Sequence, residues 1–143
     1  MKIGLFFGSF NPIHIGHCII AQFALEQFNL DGLYFIVSPH NPFKDEKSLA
    51  PLSERYSLVN TACLDMNYKF KVSEIEFQLP KPSYTSQTLR WLVSNDNKAD
   101  LGEREYFIIM GMDCLAQIDK WKDYEYIIDN FQILVYKRAK YNF

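Results

Sequence analysis

Two histidines stand three residues apart near the start of the chain, in the tetrapeptide His14-Ile15-Gly16-His17. They follow an apolar run and a glycine-containing loop, so the pattern predicts a strand, a turn and the first turn of a helix. Residues three apart share one face of a helix. Backbone N–H groups of that turn lack intrahelical partners, and the positive end of the helix dipole lies there. This arrangement predicts a phosphate site in which two imidazoles handle a charged phosphoryl group.

The loop before the histidines reads GSFNP over residues 8–12. Gly8 would let the backbone approach a phosphate closely, and Gly16 would keep the helix start free of side-chain bulk. Pro12 presets the backbone before the helix. A loop that merely turns, with the histidines as polar cap residues, is the alternative, and the combined pattern favours the phosphate site. The GxxxxGK[ST] and GxGxxG phosphate loops are both missing.

Composition restricts the class of protein. The 143 residues suffice for one domain with its own core, and hydrophobic residues make up 48% of them. A formal charge of −2 argues against a general nucleic-acid binder. The three cysteines are odd in number and widely spaced, which favours a reducing cytoplasm over a disulfide framework. No apolar run approaches the roughly 20 residues of a membrane span, so no membrane association is expected.

Apolar runs alternate with helical patterns along the chain, which predicts an α/β fold with a mostly parallel five-stranded sheet and helices on both faces. In the first helix Ile19, Phe23 and either Leu25 or Gln22 alternate around the helix. Ser94–Asp100 is expected to be a polar loop. The predicted strands are Ile3–Phe7, Leu33–Val37, Phe70–Phe77, Tyr106–Met110 and Ile133–Tyr136, and the predicted helices are Ile15–Phe28, Leu52–Met66, Ser86–Val93, a turn near Asp113–Ile118, and Tyr124–Asn130.

The unusual loops all follow predicted strands, at residues 8–12, 38–44, 81–85 and 111–113. In open parallel sheets, ligands bind outside the carboxyl ends of the strands at the point where the strand order reverses. The loops therefore predict one site at this edge of the sheet.

These motifs resemble a known family. The tetrapeptide at residues 14–17 matches the (H/T)xGH motif of the nucleotidyltransferase superfamily, and residues 8–12 are similar to the GGTFDPxH version of bacterial nicotinate-nucleotide adenylyltransferases. The likeness continues in SPHNPFK at 38–44, in SYT at 83–85, in GMD at 111–113 and at Trp121. The motifs run in order through nearly the whole chain, and the HxGH element alone specifies only the superfamily.

The resemblance implies a Rossmann-like (HUP-type) fold and the transfer of AMP from ATP to nicotinate mononucleotide with release of pyrophosphate. The attacking phosphate is ionised at neutral pH, so positioning and charge stabilisation suffice. The histidines would bind the ATP phosphates, best as imidazolium, and Mg²⁺ would be held mainly by those phosphates. The resemblance implies three catalytic residues, His14, His17 and Lys44. It implies that ATP is bound by Gly8, Ser9, Phe10, Gly16, Gly111, Asp113 and Arg138. It also implies a nicotinate pocket formed by Tyr84, Thr85 and Trp121.

Each assignment has an alternative. Tyr84 and Trp121 also fit ordinary core aromatics, in a chain that is 16% aromatic. Asp113 fits a helix N-cap, and Lys44 fits a solvated loop. His14 and Cys18 have the i, i+4 spacing of a zinc pair, but no further Cys/His pair supplies ligands at suitable spacing, so no protein-bound metal is expected. The cysteines fit small buried hydrophobes.

Three features depart from the family pattern. Phe7 stands where the family often has the first glycine of its pair, and Asn11 replaces its usual aspartate. The late ISxTxxR motif and the C-terminal helices do not occur in residues 1–143, which are expected to form a single nucleotidyltransferase domain without that helical segment.

Arg138 lies where the family has a basic residue after the last strand. Apolar surface near Phe131–Tyr136 would then be exposed and favour self-association.

The departures keep other functions open. A non-catalytic nucleotide-binding domain would bind ATP without releasing pyrophosphate. Another adenylyltransferase of the superfamily, such as pantetheine-phosphate adenylyltransferase, would use a different acceptor. A flavodoxin-like interaction module would leave the two histidines unexplained.

Overall fold

A computed structural model describes residues 1–8, 10, 13–37, 50–66, 68–73, 75, 84–99 and 104–137, with the backbone alone at 96–99, 113 and 114. Strands and helices alternate along the described chain, as the apolar pattern predicts. The elements are β1 (Lys2–Gly8), α1 (Ile15–Gln27), β2 (Gly32–Val37), α2 (Leu52–Asp65), β3 (Phe70–Ser73), α3 (Thr85–Ala99), β4 (Glu105–Gly111), α4 (Met112–Leu115), a 3₁₀ turn (Ile118–Lys120), α5 (Tyr124–Asn130) and β5 (Gln132–Tyr136).

The five strands form one sheet in the order β3-β2-β1-β4-β5. All four neighbouring pairs are parallel. The register aligns Phe6 with Phe35 of β2 and with Ile109 of β4. The prediction of an α/β fold with a parallel five-stranded sheet is confirmed.

Helices pack on both faces of the sheet, also as predicted, because alternate strand residues point to opposite faces. One face packs against α1 and α2, and its buried residues include Phe6, Phe35 and Ile109. The other face packs against α3, α4, the 3₁₀ turn and α5, and includes Leu5, Ile108 and Ile127. The central strands are buried on both sides, which explains why they read as continuous apolar runs.

The reversal of strand order lies between β1 and β4. The helix that follows β1 packs on the first face, whereas the elements that follow β4 pack on the second face. A crevice is expected where two such connections diverge, at the carboxyl ends of the strands. Gly8 ends β1 and Gly111 ends β4, so the predicted motifs reach this crevice.

The first helix buries small residues. Gly16, Ala21 and Ala24 are buried against the sheet, as is Leu25. The apolar side chains of Ile15, Ile19 and Phe23 are exposed instead, so the helix approaches the sheet on its small-residue face. In the second helix, Leu52, Tyr56, Val59, Cys63 and Met66 recur at helical spacing, which predicts an apolar stripe. The structure confirms it, with Val59 and Cys63 buried and Leu52 and Met66 packed beside them.

Two predicted boundaries are wrong. The third helix does not end at Val93 but continues to Ala99, through the stretch expected to be a loop. Ser94 and Asn95 are exposed on that helix, and polar residues on a solvated helix face need not end it. Of the strand predicted over Phe70–Phe77, the structure describes Phe70–Ser73 as a strand and Ile75 as 3₁₀, and residues 74, 76 and 77 lie outside the described residues. There the Ser73 hydroxyl accepts the Ile75 N–H at 3.3 Å, which removes a donor from the sheet ladder.

The remaining helices are short. Met112–Leu115 and the following 3₁₀ turn cover the predicted turn near Asp113–Ile118, and Tyr124–Asn130 is confirmed. In the described part of the chain, none of the helices has both the length and the apolar character that crossing a bilayer requires.

Candidate active site at the carboxyl edge of the sheet

The two histidines form a reciprocal capping box at the start of α1. His14 is the N-cap, with extended backbone at φ −138° and ψ 175°. Its Nδ1 accepts the Gly16 N–H at 3.1 Å, and its own backbone N–H donates to His17 Nδ1 at 3.1 Å. The helix therefore begins where the motif predicts, because the two imidazoles replace the Ser/Thr and Glu/Gln of the usual capping box.

This capping box fixes the tautomer of both rings. A nitrogen that accepts a hydrogen bond carries no proton, so each neutral ring has its proton on Nε2 and donates from there. The rings are also stacked, with centroids 3.8 Å apart and planes at 22°. Two positive charges would repel each other at that separation. With Nδ1 of each ring accepting a backbone N–H, the donor that each ring can offer to a phosphate oxygen is its Nε2–H.

The helix start differs from the expectation in a second way. The Gly16 N–H is paired with the His14 ring, and the His17 N–H donates to the His14 carbonyl oxygen at 3.0 Å. Two first-turn donors are thus used within the chain, although the sequence predicts them to be unpaired. Phosphate binding at this helix then falls mainly to the side chains and the dipole.

Aromatic residues support His17 from the core side. The Phe10 ring meets the His17 ring edge-on, with centroids 5.1 Å apart and planes at 79°. Phe6 makes a similar contact at 6.1 Å. Phe10 also contacts Phe6 and Phe35, so the imidazole packs against aromatic residues of the core between the sheet and helices α1 and α2. Such packing restricts the orientation of the His17 ring.

The loop between β1 and α1 turns inward at Phe10. This residue is only 3% exposed and has a left-handed backbone with φ 47°, which is unusual for a bulky side chain. A Cβ at Gly8 would lie 3.0 Å from the tip of the Phe10 ring. An alanine at position 8 would therefore require the Phe10 ring to shift by a few tenths of an ångström. The Phe10 side chain lies in the core and not at the crevice, so a nucleotide contact by Phe10 stays a prediction for its backbone alone.

The start of α3 contacts the segment before α5. The carbonyl oxygen of Tyr84 accepts the N–H groups of Gln87 and Thr88 at 3.1 and 3.2 Å, so helix α3 begins at Thr85. The Lys122 ammonium lies 5.0 Å from the centroid of the Tyr84 ring. The Tyr84 ring thus lies beside the segment that carries Trp121. The Trp121 side chain is half-buried and packs against the core on the sheet face that α3 and α5 cover. The two aromatic residues predicted for one pocket therefore belong to adjoining segments.

Other predicted residues are described only in part or not at all. Ser9, Lys44 and Arg138 lie outside the described residues, and Asp113 lies in α4 with its side chain undescribed. Gly16 and Gly111 are buried, and Thr85 is half-buried. Their roles stay predictions.

The described cysteines have no features of reactive or metal-binding thiols. Burial raises the pKa of Cys18, and burial together with the nearby Cys18 raises the pKa of Cys63 to about 11. Both thiols are free and mainly protonated at neutral pH. Within the described residues no group of three His, Cys, Asp or Glu side chains is placed to hold a metal ion.

Sequence reasoning missed three residues near the site. Arg55 is 2% exposed, and its Nε donates to the Ala50 carbonyl oxygen at 2.9 Å, at the chain segment that enters α2. Ser86 is fully buried in the first turn of α3, and within the described structure its hydroxyl has no hydrogen-bond partner. Lys122 contacts Tyr84. Motif matching passes over all three because none is a motif residue.

Comparison with known proteins identifies the family. A family model described as cytidylyltransferase-like matches residues 5–142. The chain belongs to the cytidylyltransferase-like family. Two relatives in this family, each named "Probable nicotinate-nucleotide adenylyltransferase", come from Flavobacterium psychrophilum and Cytophaga hutchinsonii. They are 48% and 45% identical over 138 residues, which cover 96% of this chain and 68% and 69% of the relatives. The predicted family resemblance is confirmed.

Solved structures show the same fold. The Plasmodium falciparum nicotinic acid mononucleotide adenylyltransferase complexed with NaAD superposes with a TM-score of 0.71. The match covers 99% of this chain and 77% of that one at 12% identity. The same enzyme complexed with APC gives the same TM-score. Together with the strand order, this likeness confirms the Rossmann-like fold of this family member.

Proposed function

We propose that this chain transfers AMP from ATP to nicotinate mononucleotide and releases pyrophosphate, as a step in the synthesis of NAD. The observation that carries the proposal is the histidine capping box at the carboxyl edge of the sheet, in which both Nδ1 atoms accept backbone N–H groups, so that each ring can offer its Nε2–H to a phosphate. The names of the relatives at 45–48% identity support the choice of nicotinate mononucleotide as the acceptor.

The reaction needs little covalent chemistry from the protein. An ionised phosphate oxygen of the mononucleotide attacks the α-phosphorus of ATP, a new P–O bond forms, and the bond to the β-phosphate oxygen breaks. Charge develops on the departing pyrophosphate, so a fixed donor near that oxygen lowers the barrier. His14 and His17 fit this task because their tautomers are set before the substrate arrives.

The other assignments are those that the family resemblance implies. The backbone from Gly8 to Phe10, with Ser9 and Gly16, would line the triphosphate. Lys44 and Arg138 would offset its negative charge. Gly111 and Asp113 would contact the adenosine, and Tyr84, Thr85 and Trp121 would enclose the nicotinate ring. Gly8 and Gly111 end β1 and β4, which flank the reversal of strand order, and this placement supports the assignment.

A divalent cation, Mg²⁺, would enter with the triphosphate. The two imidazoles fit phosphate oxygens better than a metal, because Nδ1 of each is engaged by a backbone N–H and Nε2 carries the proton. The metal would therefore be held mainly by phosphate oxygens and water, as Mg²⁺ prefers. When bound, it would neutralise charge on the β- and γ-phosphates.

The proposed compartment and oligomeric state rest on the cysteines and on exposed apolar side chains. We place it in the cytoplasm, because Cys18 and Cys63 are free thiols, as expected in a reducing compartment. Residues 1–143 would form a single nucleotidyltransferase domain. A homo-oligomer would cover apolar side chains such as Val135 of β5, which is 40% exposed.

Pyrophosphate release tests the proposal. The purified chain is mixed with ATP, Mg²⁺ and nicotinate mononucleotide, nicotinamide mononucleotide or phosphopantetheine in separate reactions. Release with nicotinate mononucleotide is expected. Release with phosphopantetheine alone would assign the chain to another branch of the family, and ATP binding without release in any reaction would indicate a non-catalytic nucleotide-binding domain.

A further inference from the structure

A lysine lies against one of the aromatic residues that the proposed function assigns to the nicotinate pocket. The Lys122 ammonium is 5.0 Å from the Tyr84 ring centroid, within the range of a cation–π contact. Lys122 is exposed to solvent, and no described carboxylate forms an ion pair with it. Its positive charge is therefore held in place by an aromatic ring and is not neutralised by a described acidic side chain.

The fold brings this lysine to the carboxyl edge of the sheet. Helices α3 and α5 pack against each other, and the Arg90 guanidinium lies 3.8 Å from the centroid of the Tyr126 ring between them. Both helices run from the carboxyl edge back toward the start of the next strand. Tyr84 precedes α3 and Lys122 precedes α5, so their contact joins the two helix starts at the edge where the histidines also lie.

The backbone at this point is unusual. Asp123, directly after Lys122, has φ 54° and ψ 39°, and it begins α5 without a side-chain cap. A left-handed non-glycine residue costs roughly 1 kcal/mol, and such residues cluster at ligand sites. Only three described residues other than glycine have positive φ, and the two at this edge are Phe10 and Asp123.

The start of α3 adds a second polar feature. Ser86 lies in the first turn of this 15-residue helix, fully buried, and its hydroxyl lacks a hydrogen-bond partner among the described residues. Helix N-termini also favour anions. Tyr84 thus directly precedes the positive end of α3, and the Lys122 ammonium lies against its ring.

We propose that Lys122 is a specificity-determining residue that pairs with the carboxylate of the nicotinate ring. This inference rests on the proposed function and adds to it. Nicotinate and nicotinamide mononucleotides differ only in a carboxylate against a neutral amide, so a fixed cation beside the ring favours the first over the second. The Tyr84 ring limits the positions of the lysine, which reduces the entropy lost on binding.

The test compares the two mononucleotides on the full chain. Dissociation constants are measured by calorimetry for nicotinate and nicotinamide mononucleotide, with wild type, Lys122→Gln and Lys122→Arg. Lys120→Gln is the matched control, because Lys120 is an exposed lysine in the preceding 3₁₀ turn. Circular dichroism checks that each variant is folded.

Wild type is expected to prefer nicotinate mononucleotide. Lys122→Gln should weaken its binding about fivefold, the worth of one partly exposed ion pair, and leave nicotinamide mononucleotide unchanged. Lys122→Arg should restore most of the preference, and Lys120→Gln should keep it. An unaltered preference in Lys122→Gln, an equal loss for both ligands, or a wild type without preference would overturn the inference alone. Failure of wild type to bind nicotinate mononucleotide would overturn the proposed function and the inference with it.

Discussion

The backbone N–H of His14 donates to Nδ1 of His17 across 3.1 Å, while Nδ1 of His14 accepts the N–H of Gly16. The same two side chains therefore begin the helix and supply the proposed phosphate contacts. Because one ring atom serves structure and the other serves chemistry, substitutions can separate the two roles.

Replacement of His14 separates its role in starting the helix from its proposed role in phosphate binding. His14→Asn keeps a side-chain oxygen that can accept the Gly16 N–H, but it removes the Nε2–H donor, so the free energy of unfolding should change by less than about 0.5 kcal/mol while turnover falls. His14→Ala removes both and should cost about 1 kcal/mol as well. Urea unfolding and pyrophosphate release measure the two effects. Equal activity of His14→Asn and wild type would contradict a role for this ring in phosphate binding.

Replacement of His17 should act mainly on turnover. If its Nε2–H stabilises charge on the departing pyrophosphate, His17→Ala should lower kcat by about a hundredfold or more. The loss of one capping interaction should reduce the free energy of unfolding by only about 1 kcal/mol. Gln27→Ala, an exposed position at the end of the same helix, is the matched control. Unchanged kcat in His17→Ala would remove the proposed role of this ring.

Enlarging Gly8 should disturb the support of His17. In Gly8→Ala the added methyl would lie 3.0 Å from the Phe10 ring, which is packed among other aromatic rings and cannot easily move. We expect a loss of about 1–3 kcal/mol in the free energy of unfolding, with reduced activity.

The matched control for Gly8 is Gly32→Ala, since a Cβ there would lie 3.5 Å from the Lys69 carbonyl oxygen, an ordinary contact. Thermal unfolding of the two variants provides the comparison. If both lost the same stability, the close approach of Phe10 would not be the reason for a glycine at position 8.

Stability should fall at alkaline pH because of Cys63. Burial and the nearby Cys18 raise its folded-state pKa to about 11, from an ordinary value of 9.0. Between these values the unfolded chain loses the thiol proton and the folded chain keeps it, so the free energy of unfolding decreases as pH rises from 9 to about 11. Below pH 9 the contribution is fully present.

Urea unfolding midpoints over this pH range give the measurement. Cys63→Ala should flatten the decrease, although it also loses some packing at every pH. Comparison of slopes and not of absolute midpoints removes that packing effect. A slope equal to that of wild type would show that another group causes the alkaline loss.

Local patterns predict much of this fold. The strand and helix order, the start of α1 at the histidine motif and the stripe of α2 follow from short-range periodicity and are confirmed. The end of α3 and the length of β3 are wrong, because helix and strand ends depend on which side chains meet solvent or capture a backbone group. The Lys122–Tyr84 contact was missed because it joins residues far apart in sequence.

The sequence by itself determined that apolar strands alternate with helices, that the sheet is parallel, and that the conspicuous motifs follow strand ends. These properties depend on neighbours within a few residues along the chain. Only the tertiary structure decided that Phe10 is buried and Phe23 exposed, that Nδ1 of both imidazoles accepts a backbone N–H, and that a lysine lies against the Tyr84 ring. Packing across the sheet and between helices determines these, and such contacts are not encoded in any one segment.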